Sequence, residues 1–150
     1  MRLIAFRRKD MRLIDKCRVL NFAELGDERG HLVVAESEKD IPFNIKRVFY
    51  IYGSESSVVR GQHANRKSEF VLINVAGKSK VRLNDGSEEK IVELNKPNMG
   101  IYIPQMVWKD MYDFSPESVL LVLSNTHYDN TEYIRDFEEY IKEVEIWQEK

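Results

Sequence analysis

Short runs that switch between apolar and polar residues fill most of this chain. Lys78-Ser79-Lys80-Val81-Arg82-Leu83 alternates cleanly, Lys90-Ile91-Val92-Glu93-Leu94 answers it, and Arg18-Val19-Leu20-Asn21-Phe22 alternates weakly. A two-residue period belongs to a strand with one buried face. His31-Leu32-Val33-Val34-Ala35, the β-branched and aromatic run from Phe43 to Tyr52 after Pro42, Gly100-Ile101-Tyr102-Ile103-Pro104 and Val107-Trp108-Lys109-Asp110-Met111-Tyr112 read as further strands. Val119-Leu120-Leu121-Val122-Leu123 is apolar without a break, which suits a strand buried on both faces. Between these runs stand turn formers: Asp27-Glu28-Arg29-Gly30, Gly53-Ser54-Glu55-Ser56-Ser57, Asn84-Asp85-Gly86-Ser87 and Asn95-Lys96-Pro97-Asn98. The Asp-Gly pair marks a hairpin.

From Thr131 the period changes. Ile134, Phe137, Ile141, Val144 and Trp147 recur at three or four residues, with Thr131 as N-cap and Glu132 in the first turn. Strands with turns roughly every 8–12 residues, followed by one helix, predict an all-β jelly roll or barrel with a C-terminal α-helix. No linker or long-period repeat divides the chain, so residues 1–150 are expected to form one domain.

Composition narrows the classes. With 32% charged residues and a net charge of −2, nothing draws the chain toward nucleic acid. No apolar run approaches the ~20 residues of a membrane span, and the basic first ten residues lack the apolar core of a secretory leader. A cytoplasmic protein is expected. The single cysteine, Cys17, leaves no intrachain disulfide and no cysteine-cluster metal site. Met1-Arg2-Leu3-Ile4 recurs as Met11-Arg12-Leu13-Ile14, so residues 1–10 read as an N-terminal extension.

The chemistry concentrates in Arg60-Gly61-Gln62-His63-Ala64-Asn65, ahead of the apolar run from Phe70 to Val75. On a strand His63 and Asn65 point to one face. The imidazole titrates near neutral pH and the amide does not.

Several stretches, in this order, resemble the cupin domains of the WxcM-like family, the dTDP-sugar 3,4-ketoisomerases. They are Asp27-x-Arg29-Gly30-x-Leu32, the run from Ile41 to Ile51, Arg60-Gly61-x-His63-Ala64, Asp85-Gly86, Val107-Trp108 with Asp113-Phe114-Ser115, Tyr128-Asp129 and Tyr133-Ile134-Arg135-Asp136. The match covers roughly residues 18–140. It implies a cupin jelly roll that moves the carbonyl of dTDP-4-keto-6-deoxyglucose from C4 to C3, in the making of deoxysugars for bacterial surface glycans. It also implies a homodimer that exchanges N-terminal strands, and neither a metal nor a redox cofactor. The family pattern Arg-Gly-x-His-Ala-His-Lys is broken here at Asn65. Phe70 stands where a Gln is expected, and Lys109 follows the Trp where His or Arg is usual.

A 3,4-keto shift needs one base to take the C3 proton and return it to C4, and donors for the oxygens that take up charge. His63 is the expected base. Lys109 is the expected acid or electrophile, if burial lowers its pKa. Tyr50 and Tyr52 share one strand face; Tyr52 is the candidate proton relay and Tyr50 the candidate stacking surface. Asn65 is expected to hydrogen-bond the sugar. Arg47 and Arg60 are the candidates for the diphosphate, which a guanidinium fork binds with two parallel donors. Arg29 and His31 are further candidate substrate contacts, and His127 is expected to be structural. Three histidines in all, with Asn at the second position of His-x-His, make a poor metal-binding set. Two other functions fit the residues: a dTDP-sugar-binding cupin that has lost its base at Asn65, and another nucleotide-sugar isomerase or epimerase.

Overall fold

The computed structural model describes residues 11–150. The Met1–Ile4 repeat and the expected extension lie outside the described residues. A single turn, α1 (Leu13–Lys16), buries Leu13 and Ile14 and leads into β1 (Arg18–Asn21). Then come β2 (Glu24–Asp27), β3 (Gly30–Val33), β4 (Arg47–Tyr52), β5 (Arg60–Asn65), β6 (Phe70–Ala76) and β7 (Ser79–Asn84). The chain continues through β8 (Glu89–Leu94), β9 (Met99–Ile103), β10 (Trp108–Tyr112), β11 (Val119–Ser124), β12 (Tyr133–Ile134) and α2 (Phe137–Glu149).

Two five-stranded antiparallel sheets carry the fold. Their strand orders are β1-β9-β6-β11-β4 and β12-β5-β10-β7-β8, while β2 and β3 form a separate hairpin. The main core takes Phe70, Leu72, Ile101, Ile103, Leu120 and Val122 from the first sheet and Ala64, Val81, Leu83, Trp108 and Met111 from the second. A smaller core lies on the first sheet's other face, where Ile41 and Phe43 cover Val71, Ile73 and Leu123. That cover explains the unbroken apolar run of β11, whose Leu120 and Val122 belong to the main core and Leu123 to the smaller one. It also explains why β4 begins at Arg47 rather than just after Pro42: Ile41 and Phe43 fold across the sheet instead of extending it.

The C-terminal helix starts later than the periodicity predicts. Asn130–Glu132 is a 3-10 turn capped by Asp129, whose side chain accepts from Thr131 N. Tyr133 and Ile134 then pair with Asn65 and Ala64 as a two-residue strand. Asp136 is the true N-cap of α2 and accepts from Glu139 N at 3.1 Å. The buried Ile134 satisfies an apolar position as well in a strand as in a helix, so its spacing misled the reading. Fully buried Tyr140 anchors α2: its hydroxyl lies 2.7 Å from the Met106 carbonyl and 3.0 Å from the Asn84 carbonyl. The same helix presses Val144 against the β7–β8 turn, where a Cβ on Gly86 would come within 2.9 Å of it.

Candidate active site

The site is built around an irregularity in β5. Arg60 pairs with Met111, Gly61 with Asp110 and His63 with Lys109, so Gln62 is one residue too many for the ladder with β10. Gly61 and Gln62 both take positive φ, +85° and +55°. A Cβ on Gly61 would stand 2.8 Å from the Lys109 carbonyl oxygen, so glycine is required for the close approach as well as the dihedral. Such a bulge re-aims the side chains on either side of it. Strict alternation would send Arg60 and His63 to opposite faces, yet both line one cavity.

That cavity lies between the sheets and has a volume of about 140 Å³, the scale of a single six-membered ring. Phe49, Ile51, Phe70, Leu72 and Val122 of the first sheet form an apolar wall. Arg60, Gly61, His63, Lys109, Met111 and Tyr133 of the second form the opposite one, which carries all the charge.

His63 Nδ1 lies 3.0 Å from the Gly61 carbonyl. That contact assigns the proton to Nδ1 and leaves Nε2 as an acceptor. The ring tilts against Tyr133 with centroids 4.8 Å apart. Burial, and next the nearby Lys109 charge, push the imidazole down to about 3, so it is neutral at physiological pH. Lys109 is 2% exposed. Burial pushes its ammonium down to about 7, against the opposing charge of Glu132. Its Nζ donates to Asn65 Oδ1 at 3.0 Å and sits 4.8 Å from the centre of the Phe70 ring. Phe70, the departure from the family's Gln, therefore provides an aromatic face for the Lys109 cation.

The cavity thus unites three of the residues singled out in the sequence: His63, Lys109 and Arg60. Arg47 adjoins it. Its guanidinium lies over Phe49, Phe70 and Tyr128, Nη2 donates to Ser124 Oγ at 3.3 Å, and its buried Nε has no hydrogen-bond partner among the described residues.

The other five candidate residues lie outside the lining of this cavity. Asn65 does not line the cavity: it is fully buried, and its amide is engaged at both ends by Lys109 and Glu132. Tyr50 and Tyr52 do share a face of β4, but it is the outer one. They are 61% and 71% exposed and stack on each other, while Phe49 and Ile51 point inward. Tyr52 therefore does not reach the His63 cavity of its own chain. Arg29 and His31 sit on the β2–β3 hairpin, where Arg29 pairs with Asp27 and His31 with Glu24, also outside the lining of that cavity.

Two residues escaped the sequence reading. Tyr133 is the tyrosine that lines the cavity; strand parity offers no clue to it, because it belongs to a strand of two residues. Glu132 read as a helix first-turn acid, whereas it is a buried carboxylate beneath the site. Among the described residues no group of three or more His, Cys, Asp or Glu is arranged to hold a metal ion, and no helix is long and apolar enough to cross a membrane.

The chain is similar to known proteins along nearly its whole length. The family model described as FdtA: WxcM-like, C-terminal matches residues 15–145. A TDP-4-oxo-6-deoxy-alpha-D-glucose-3,4-oxoisomerase of Aneurinibacillus thermoaerophilus is 41% identical over 135 residues, covering 88% of this chain and 97% of that protein. A 3,4-ketoisomerase of Helicobacter canadensis superposes with a TM-score of 0.84 at 42% identity, covering 86% of this chain and 97% of that one. A histidine-to-asparagine mutant of the 3,4-ketoisomerase QdtA from Thermoanaerobacterium thermosaccharolyticum, solved in complex with TDP-4-keto-6-deoxyglucose, gives a TM-score of 0.85 at 43% identity over 87% of this chain and 94% of that one. With that much of its length matched, the chain belongs to the FdtA, WxcM-like family of cupin enzymes, whose members include nucleotide-sugar 3,4-ketoisomerases.

Proposed function

We propose that this protein is a nucleotide-sugar 3,4-ketoisomerase that converts dTDP-4-keto-6-deoxyglucose to its 3-keto isomer in the cytoplasm. The observation that carries the reading is the cross-strand pair His63 and Lys109 in one ring-sized cavity. A neutral imidazole and a lysine near neutrality are the two proton-handling groups the reaction needs.

His63 Nε2 takes the proton from C3, which the C4 carbonyl acidifies. The electron pair becomes the C3–C4 double bond of an enediolate, and the Lys109 ammonium gives O4 its proton. Collapse of the O3–H bond forms the C3 carbonyl, with that proton returning to Lys109. C4 then takes a proton from His63, which exchanges with solvent between the two transfers. No atom is gained or lost. A lysine held near 7 gives and regains a proton at little cost in either direction. The apolar wall excludes water, which strengthens the ammonium's hold on the developing oxyanion.

Arg60, on the cavity wall, and Arg47, with its buried unpartnered Nε, are the donors for the diphosphate. Because Asn65 stands behind Lys109 rather than in the cavity, its departure from the family pattern leaves a base in the site. Incubation with dTDP-4-keto-6-deoxyglucose in heavy water tests the reading. Deuterium should enter C4 of the 3-keto sugar that accumulates and C3 of recovered substrate; an unlabelled, unchanged substrate would refute it.

The functional unit is a homodimer. Leu25, Leu32 and Val34 around the β2–β3 hairpin are exposed, as are Val48, Tyr50 and Tyr52 on β4, the end strand of its sheet. An open edge beside exposed apolar residues calls for a partner strand. A monomer by light scattering at micromolar concentration would contradict this assembly.

A further inference from the structure

Three buried polar groups stand in series behind the cavity: Glu132, Asn65 and Lys109, which are 4%, 0% and 2% exposed. The Asn65 amide joins the other two. Its Nδ2 donates to Glu132 Oε1, and its Oδ1 accepts from Lys109 Nζ at 3.0 Å. An amide has a fixed donor end and a fixed acceptor end. With a carboxylate on one side and an ammonium on the other, only one of its two orientations satisfies both. The carboxylate is itself immobilised. Ser68 Oγ also donates to Oε1, and the backbone amides of Lys67 and Ser68 each donate to Oε2 at 2.9 Å. The backbone of Asn65 is pinned as well, because its carbonyl accepts from Met106 N at 2.7 Å.

We propose that Glu132 is a positioning residue for Lys109, its carboxylate acting through the Asn65 amide to fix the ammonium at the cavity wall and to supply its countercharge. This rests on the ketoisomerase reading, in which that ammonium attends the keto oxygen. The amide spacer matters. A carboxylate in direct contact would draw the ammonium off the Phe70 ring and occupy the donors the substrate needs. An asparagine carries the link without itself titrating, whereas a histidine at this position would change charge.

Burial pushes Glu132 up, but the hydrogen bonds from Ser68, Asn65 and Lys67 prevail and hold it below the usual carboxylate range. Its charge opposes the burial that lowers Lys109. Cys17 lies near Lys109, but burial pushes that thiol up to about 12, so it is uncharged where Lys109 titrates and Glu132 is the countercharge that acts there. The other groups facing Lys109 are His63 on β5, Arg60 and Tyr133 around the cavity, and Arg47, which shares the Phe70 ring.

The test is NMR titration of Lys109 in the full chain labelled with 13C-lysine, assigned with Lys109→Met. The wild-type midpoint is expected near 7. Glu132→Gln and Asn65→Leu should each lower it by at least about half a pH unit, the scale of a lost charge partner or hydrogen bond. In the double variant the shift should fall clearly short of the sum of the two single shifts. An unchanged midpoint in either single variant would overturn the proposal. So would simple addition of the two shifts, because Glu132 would then act as a distant charge rather than through Asn65. Should Glu132→Gln not fold, Glu132→Asp keeps the charge but shortens its reach to the Asn65 amide and should lower the midpoint in the same direction; an unchanged midpoint there would overturn the proposal. The titration uses no substrate, so a failure of C3 exchange in the wild type would count against the enzyme reading and leave this result standing.

Discussion

The Lys109 ammonium faces His63 across the β5–β10 ladder, and its charge helps burial to hold that imidazole neutral. Two basic groups that would ordinarily be far apart in proton affinity are both brought down, His63 to about 3 and Lys109 to about 7. Between those values the site holds an unprotonated base and a charged donor side by side.

The pH dependence follows from that pair. Activity needs neutral His63 and protonated Lys109. On raising the pH, kcat/KM should hold level up to about 7 and then fall roughly tenfold per unit as Lys109 loses its proton. Lys109→Met should remove this limb and lower kcat by about 10²–10³-fold, as does loss of one preorganised donor. A rate that instead climbs through neutral pH would assign Lys109 as the base.

His63→Asn should abolish deuterium entry at C3, a loss of about 10²–10⁴-fold, with dTDP affinity retained in calorimetry. Asn65→His should bring no gain in rate, because position 65 lies behind the cavity and has no route to the sugar. A rate raised tenfold or more by Asn65→His would place the working base there, on the scale expected of a general base.

Replacing Arg47 or Arg60 with Ala should weaken dTDP binding by about 1.5–3 kcal/mol, the worth of a hydrogen bond to a charged group. Calorimetry that finds wild-type affinity in both variants would remove the two arginines from the diphosphate site.

His63 should also mark the acid stability of the fold. Its folded-state value is about 3 and the ordinary value is 6.5, so the unfolded chain takes up the proton first as the pH falls. The stabilisation from a neutral His63 is complete above about pH 6.5 and is lost progressively toward pH 3. In urea titrations across this range, His63→Gln should flatten the decline; an unaltered slope would show that the imidazole is not desolvated.

Local pattern determined most of the strands, though not β2 or β12, and the motifs in their order carried the resemblance to the family. Two-residue alternation places Phe49 and Ile51 on one face of β4 and Tyr50 and Tyr52 on the other, and a run like Val119–Leu123 is rare outside a strand covered on both sides. Alternation does not say which face is the inner one, because that depends on what the sheet packs against. The tyrosines accordingly proved to be outside. The helix start was misread for a related reason: Ile134 pairs with Ala64 across 70 residues, a contact that periodicity within one segment does not register.

His63, Arg60 and Lys109 were legible as chemistry, since their residue types suit proton transfer and anion binding wherever they lie. Their meeting was not legible. It depends on the extra residue Gln62 in β5, which turns Arg60 and His63 to one side, and on a β10 register that sets Lys109 opposite His63. Asn65 shows the division most clearly. Its residue type says that it cannot act as a base. Only the tertiary structure, by burying it between a carboxylate 67 residues away and an ammonium 44 residues away, decides that it acts as a support instead.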